Sequence, residues 1–262
     1  MTALADALRA ARVYDLEQPR YAGAPTFPAH EPGMLLSLHR RHEPGLGEAR
    51  TSASALLVMA EHSGTHVDAL CHQAENGHLH GGIRVDAHVQ TAKGFTVLGA
   101  DTIAPLVARG VLLDVAGTLG VPRLEPGYGV TAGELEAALG PRTIEPGDVV
   151  LVRLGSGALW DDRPAYEAAG GVSAEGSRWL AERRPLAVGA DNLAWDVPGE
   201  RDPELGTLPG HVLLIVRAGI HILESLNLEG LAADGVGEFA FVCAPLKLRG
   251  GTGSPVRPLA FV

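Results

Sequence analysis

The densest chemistry in the sequence lies in Glu61-His62-Ser63-Gly64-Thr65-His66-Val67-Asp68-Ala69-Leu70-Cys71-His72, where three histidines and an aspartate fall within eleven residues. Imidazole nitrogens with a carboxylate oxygen suit Zn²⁺, Mn²⁺ or Fe²⁺. His62 and His66 are four apart, the spacing of helical zinc-protease motifs, but no glutamate follows His62 and Gly64 interrupts the run. The Ser-Gly-Thr insert reads instead as a turn leaving a strand. Such a turn can bring His62, His66 and Asp68 onto one centre. Three protein ligands leave positions open for water, the arrangement of a catalytic site.

Other chemistry-bearing residues form weaker patterns. His78 and His80, in Asn76-Gly77-His78-Leu79-His80-Gly81-Gly82, are candidates for a pocket mouth. Gly155-Ser156-Gly157 and Gly253-Ser254 lack the full G-x-S-x-G of a nucleophile elbow. Gly250 to Gly253 lacks the Lys-Ser/Thr ending of a phosphate loop. Trp160, Trp179 and Trp195 read as core or interface residues.

The elements that must position this cluster can be read from hydrophobic patterning. Ser54 to Glu61 reads as a buried strand that delivers the histidines at its end. Gly110 to Val115, Asp148 to Leu154, Leu186 to Gly189, Gly219 to Glu224 and Glu238 to Ala244 have strand length and composition, as does the short Val13 to Leu16. Ala5 to Ala11 looks helical. Thr131 to Leu139 reads as a helix with Thr131 as N-cap and Glu134 three residues on, a capping box. Ser173 to Arg184 is a second serine-opened helix. His211 to Arg217 fits either a helix or a strand. Tyr21 to Gly33 carries three prolines and must be loop. Strands alternating with helices through the second half predict an α/β architecture.

Composition bounds the function. The chain has 262 residues, 46% hydrophobic and 20% charged, and no internal repeat or linker, so one domain over 1–262 is expected. The net charge of −10, with Lys93 and Lys247 the only lysines, disfavours binding to nucleic acid or an anionic membrane. No apolar run approaches a membrane span, and Met1 to Gln18 has no signal-peptide core. Cys71 and Cys243 read as free thiols. A cytoplasmic protein is the expectation.

The histidine-rich segment resembles the signature of the cyclase family of metal-dependent hydrolases, which includes kynurenine formamidases and isatin hydrolases. The pattern His-x-Gly-Thr-His-x-Asp, with a further histidine four residues on, is met at His62, Gly64, Thr65, His66, Asp68 and His72. Many members have proline where this chain has Leu70. Weaker blocks follow in the family's order: Tyr14-Asp15-Leu16 with the Pro25–Pro28 turn, Gly147 to Arg153, Gly189 to Asn192, His211 with Gly219 to Glu224, and Gly251 to Pro258.

The resemblance implies His62, His66 and Asp68 as metal ligands, and His211 and Glu224 as ligands of a second ion bridged by Asp68. One or two divalent ions per chain, Zn or Mn or else Fe, are expected. His72 would be the general base and proton shuttle. The implied reaction is hydrolysis of a non-peptide C–N bond, in an amide, lactam or formamide, by metal-activated water. A lyase or cyclase acting on an oxygenated carbonyl compound, and a metal-dependent binding protein without turnover, are the alternatives. The resemblance also implies a swivelling β/β/α-type single domain with a mixed sheet. A small-molecule substrate and a homodimer or higher homo-oligomer are expected, with Phe27 or Tyr21 reaching across the interface. Specificity would lie in loops such as Tyr21 to Gly47 and Gly77 to Ile83.

Overall fold

The computed structural model describes residues 2–43, 45 and 49–262. Residues 44, 46 and 47, within the Tyr21–Gly47 stretch expected to carry specificity, and residue 48 just after it lie outside the described residues. Nine strands form one mixed sheet. In chain order they are β1 (Val13–Asp15), then, after a separate hairpin of β2 (Met34–Arg40) and β3 (Ser54–Met59), β4 (His66–Asp68), β5 (Leu106–Asp114), β6 (Val149–Arg153), β7 (Ala187–Ala190), β8 (His221–Glu224), β9 (Glu238–Cys243), β10 (Gly253–Pro255) and β11 (Leu259–Phe261). Their spatial order is β1-β11-β9-β5-β6-β7-β8-β4-β10. The pairs β5–β6, β6–β7 and β7–β8 are parallel and the others antiparallel.

The parallel centre is apolar along its length because both its faces are covered. Alternate residues divide into two cores. Leu112, Leu151, Ala187 and Leu223 face one side with Phe239 and Phe241. Val111, Leu113, Val150, Val152, Val188 and Ile222 face the other, packed on Leu135, Trp179, Leu180 and Ile215. Leu135 and Leu180 belong to the two helices expected from their caps. Ala132–Leu139 is closed by the Thr131–Glu134 capping box, and Ala174–Arg183 by Ser173 accepting from the Gly176 amide. The ambiguous His211 segment is helical: Pro209–His211 runs into π-type turns over Val212–Ala218.

One expectation is corrected. Ser54 to Glu61 does form a strand, β3 over Ser54–Met59, but it is not buried. Among the described residues it pairs only with β2, and Leu36 and Leu56 are 57% and 61% exposed, with Leu35, Leu38, Leu57 and Val58 comparably open. A continuous apolar run marks a strand without saying what covers it. The strand that carries His66 and Asp68 into the sheet is instead β4, which follows the turn.

Candidate metal centre

The site is assembled by strand register. His66 and Asp68 are two residues apart on β4, so their side chains leave the same face. In the antiparallel pairing of β4 with β8, Glu224 stands directly opposite His66, close enough for cross-strand contact. His62 reaches the same point from the turn over Glu61–Thr65. Gly64 holds that turn at φ +57°, a conformation costly for residues with a Cβ. Arg20 braces it: one guanidinium nitrogen donates to Ser63 O, another to Thr65 O and, at 3.3 Å, to Val256 O, while Nε donates to Glu17 at 2.6 Å. A Cβ on Gly64 would come within 2.9 Å of the same guanidinium.

The converging atoms lack partners of their own. His66 Nε2, both Asp68 carboxylate oxygens and Glu224 Oε1 are buried without a hydrogen-bond partner. His62 Nδ1 lies 2.8 Å from Asp68 Oδ1, and His66 Nε2 lies 3.3 Å from Glu224 Oε2. His211 Nε2 is 3.6 Å from Asp68 Oδ2 and 3.3 Å from Glu224 Oε1. Nitrogens and carboxylate oxygens crowded this closely, without hydrogen-bond geometry of their own, form a donor set that suits a cation. Two ligand groupings result, His66–Asp68–Glu224 and His62–Asp68–His72, each within 4.8 Å and both using Asp68.

The other ring nitrogens orient the imidazoles, as around metal-ligating histidines. His66 Nδ1–H donates to Gly64 O at 2.8 Å, and His211 Nδ1–H donates to Asp196 Oδ2 at 2.6 Å. Thr252 donates to Glu61 at 3.5 Å, so its oxygen can accept from His62 Nε2–H at 2.8 Å, leaving His62 Nδ1 turned inward.

Electrostatics follow from this crowding. Burial opposes charge on His66, yet Asp68 and Glu224 raise it to about 10. His211 is raised against the same burial by Asp196, Asp68 and Glu224. Against their own burial, the surrounding imidazoles hold Asp68 well below its ordinary value and lower Glu224. For His72, burial outweighs the pull of Asp68 and Glu224 and pushes it down to about 3, so it stands neutral. Its ring stacks on His62 with centroids 4.0 Å apart.

These groups open onto a cavity of about 210 Å³ walled also by Phe27, His30 and Leu208. The sequence reading offered Phe27 as a residue reaching across a dimer interface, whereas here it lines the cavity of its own chain; that reading did not find His30, Asp196, Thr252 or Arg20. His30 stacks on His62 at 4.8 Å from a one-turn helix, Pro28–His30, inside the proline-rich loop. Its only signal was that Pro-spaced loop, and Asp196 stands next to Trp195 with no motif around it. His78 is exposed and bonds within its own loop, while His80 bonds to Val216 O; neither lines the cavity. Tyr21 reaches Trp160 O and Asp161 instead. Trp179 and Trp195 are core residues, and Trp160 is buried with its Nε1–H on Pro19 O. Ser156 and Ser254 are buried away from the cavity.

Known proteins share this frame. The sequence profile of a family described as "Putative cyclase" matches residues 14–197. A kynurenine formamidase from Paracidovorax citrulli is 27% identical over 245 residues, 94% of each chain. The crystal structure of a novel cyclase superposes with a TM-score of 0.83 at 28% identity, covering 99% of this chain and 89% of the other. Isatin hydrolase A from Ralstonia solanacearum superposes with a TM-score of 0.76 at 25% identity, covering 100% and 96%.

Proposed function

The chain belongs to the cyclase family, and from that premise we propose that it is a metal-dependent hydrolase cleaving the C–N bond of a small linear or cyclic amide. The observation that carries this reading is the convergence of buried His66, Asp68 and Glu224 atoms at one point, where His66 and Glu224 line a cavity beside a neutral His72. The relatives named for formamide and isatin hydrolysis support it.

His62, His66, Asp68, His211 and Glu224 would hold the ion, with Asp68 shared if two bind. When bound, a divalent ion polarises the scissile carbonyl and makes water acidic enough to attack near neutral pH. His72, kept neutral by burial, takes the proton from the attacking water and returns one to the departing nitrogen. Asp196 and Thr252 keep His211 and His62 turned inward, and Phe27 and Leu208 limit access of bulk water.

The reading includes one domain over 1–262 of the swivelling β/β/α type, a cytoplasmic location and a homodimer. Among the described residues no helix is long and apolar enough to cross a membrane. The β2–β3 hairpin supports the dimer, because a two-stranded ribbon exposing this much apolar surface needs a cover. The test is turnover of formanilides, lactams and imides by protein stripped with chelator and reloaded with Zn²⁺ or Mn²⁺. Amide cleavage that returns with the metal is expected. No cleavage across the panel by loaded protein would refute the reading.

A further inference from the structure

Most polar groups that wall the reaction cavity already have a part: His62, His66, His211 and Glu224 are the proposed ligands and His72 the proposed base. His30 and Gln73 remain. Of the two, His30 has a defined place beside the base. Its ring stacks on His62 with centroids 4.8 Å apart and planes 26° apart. It stands 6.2 Å from the His72 ring, tilted by 45°.

His30 is held without being used up. It ends the one-turn helix Pro28–His30, where its amide donates to Phe27 O at 2.8 Å and its carbonyl accepts from the Gly33 amide at 3.0 Å. Its ring packs against Phe27 and His62. The residue is half-buried, and among the described residues its ring nitrogens have no hydrogen-bond partner, nor are they among the partnerless atoms sealed from solvent. Both are therefore open to a molecule in the cavity. His30 also belongs to neither ligand grouping. Neutral or charged, an imidazole carries at least one N–H, so His30 offers a donor in either state.

The spacing to His72 suits a reacting carbonyl. The carbon under attack bears two oxygens, from the incoming water and from the carbonyl. A base on the first and a donor on the second must lie about 4–8 Å apart, the reach of two hydrogen bonds and the O–C–O group between them. The 6.2 Å between the two rings meets that requirement.

We propose that His30 is a catalytic residue whose ring N–H donates to the carbonyl oxygen of the scissile amide, most strongly once that oxygen gains charge. The inference rests on the hydrolase reading. As water adds to the carbonyl carbon, its proton passes to His72 and the C=O π pair moves onto the oxygen that faces His30. When the C–N bond breaks, that pair re-forms the C=O bond, and the nitrogen leaves with its bonding pair and the proton from His72. His30 keeps its own proton throughout. The same oxygen ends in the product carboxylate, so a carboxylate should bind the same donor.

The test reads binding as well as turnover. His30→Phe keeps a ring to stack on His62 and removes the donor, and His30→Leu removes the donor without the ring. Zinc affinity is measured by competition with a fluorescent chelator, and benzoate is then titrated calorimetrically into the zinc-loaded proteins. Both variants should keep zinc and bind benzoate about tenfold more weakly, the loss of one charge-assisted hydrogen bond. His30→Gln, which retains a donor, should recover part of that affinity. For a formanilide that the wild type hydrolyses, kcat should fall by about 10²–10³-fold in His30→Phe, with KM little changed. Either donor-free variant suffices if the other does not fold. Unchanged benzoate affinity overturns the proposal, as does a loss of benzoate that only follows a loss of zinc, or one that appears in Gln73→Leu and not in His30→Phe. The predicted benzoate ranking without formanilide hydrolysis fails the hydrolase reading alone, and hydrolysis that His30→Phe leaves intact fails His30 alone.

Discussion

At the residue scale, the buried imidazoles favour protons that a metal bound there would have to displace. His66 titrates near 10 when folded, above its ordinary 6.5, and His211 is raised likewise. Stability from these two protonated imidazoles is therefore fully present below pH 6.5 and is lost as pH rises through the folded values. Metal uptake at pH 7 should release roughly two protons, one from each ring. Calorimetry in buffers of different ionisation enthalpy measures this; zero release would contradict the protonated pair. His72 differs because burial keeps it neutral. His72→Ala should retain metal while turnover falls by about 10²–10⁴-fold. Loss of metal would move His72 among the ligands, which the His62–Asp68–His72 grouping makes a sharp alternative. Asp196→Asn should weaken metal binding by about 10–100-fold, since the amide can present its NH₂ to His211 and misorient the ring; unchanged affinity would deny Asp196 that role.

At the scale of elements, the site depends on a turn and a register. Arg20 fastens the Ser63–Thr65 turn to the chain beyond β10 through Ser63, Thr65 and Val256 carbonyls. Arg20→Met keeps the aliphatic stem but removes the donors. It should lower metal affinity by about tenfold or more, by analogy with other residues that orient metal ligands, while the far-ultraviolet spectrum stays native; full affinity would show that the turn holds its shape alone. Legibility in the sequence divides along the same line. The convergence of His62, His66 and Asp68 was readable because a turn acts locally, as were the Thr131 and Ser173 caps. Glu224 came from resemblance, since its place opposite His66 depends on pairing between β4 and β8, which are far apart in sequence. Asp196, Thr252 and His30 were illegible for the same reason: each meets the site only after distant segments fold together. The burial of β3 was misread because hydrophobicity reports what a strand wants covered, and among the described residues β2 is the one strand that pairs with it.

At the scale of the whole molecule, the mixed sheet brings the turn before β4, the end of β8 and the His211 helix to one cavity. The exposed β2–β3 hairpin predicts self-association. Leu36→Arg with Leu56→Asp should shift the mass by light scattering to that of a 27.3 kDa monomer; a wild-type chain already monomeric at micromolar concentration would leave the hairpin without that partner. The central claim, that this cavity uses a divalent ion and water to cleave a C–N bond, is tested most directly by isotope. Protein reloaded with metal is given an amide that it turns over, in ¹⁸O-labelled water, and the products are weighed by mass spectrometry. One labelled oxygen in the new carboxylate, absent when metal is withheld, is the predicted result. Product formed without label, or formed equally by chelator-stripped protein, would contradict it.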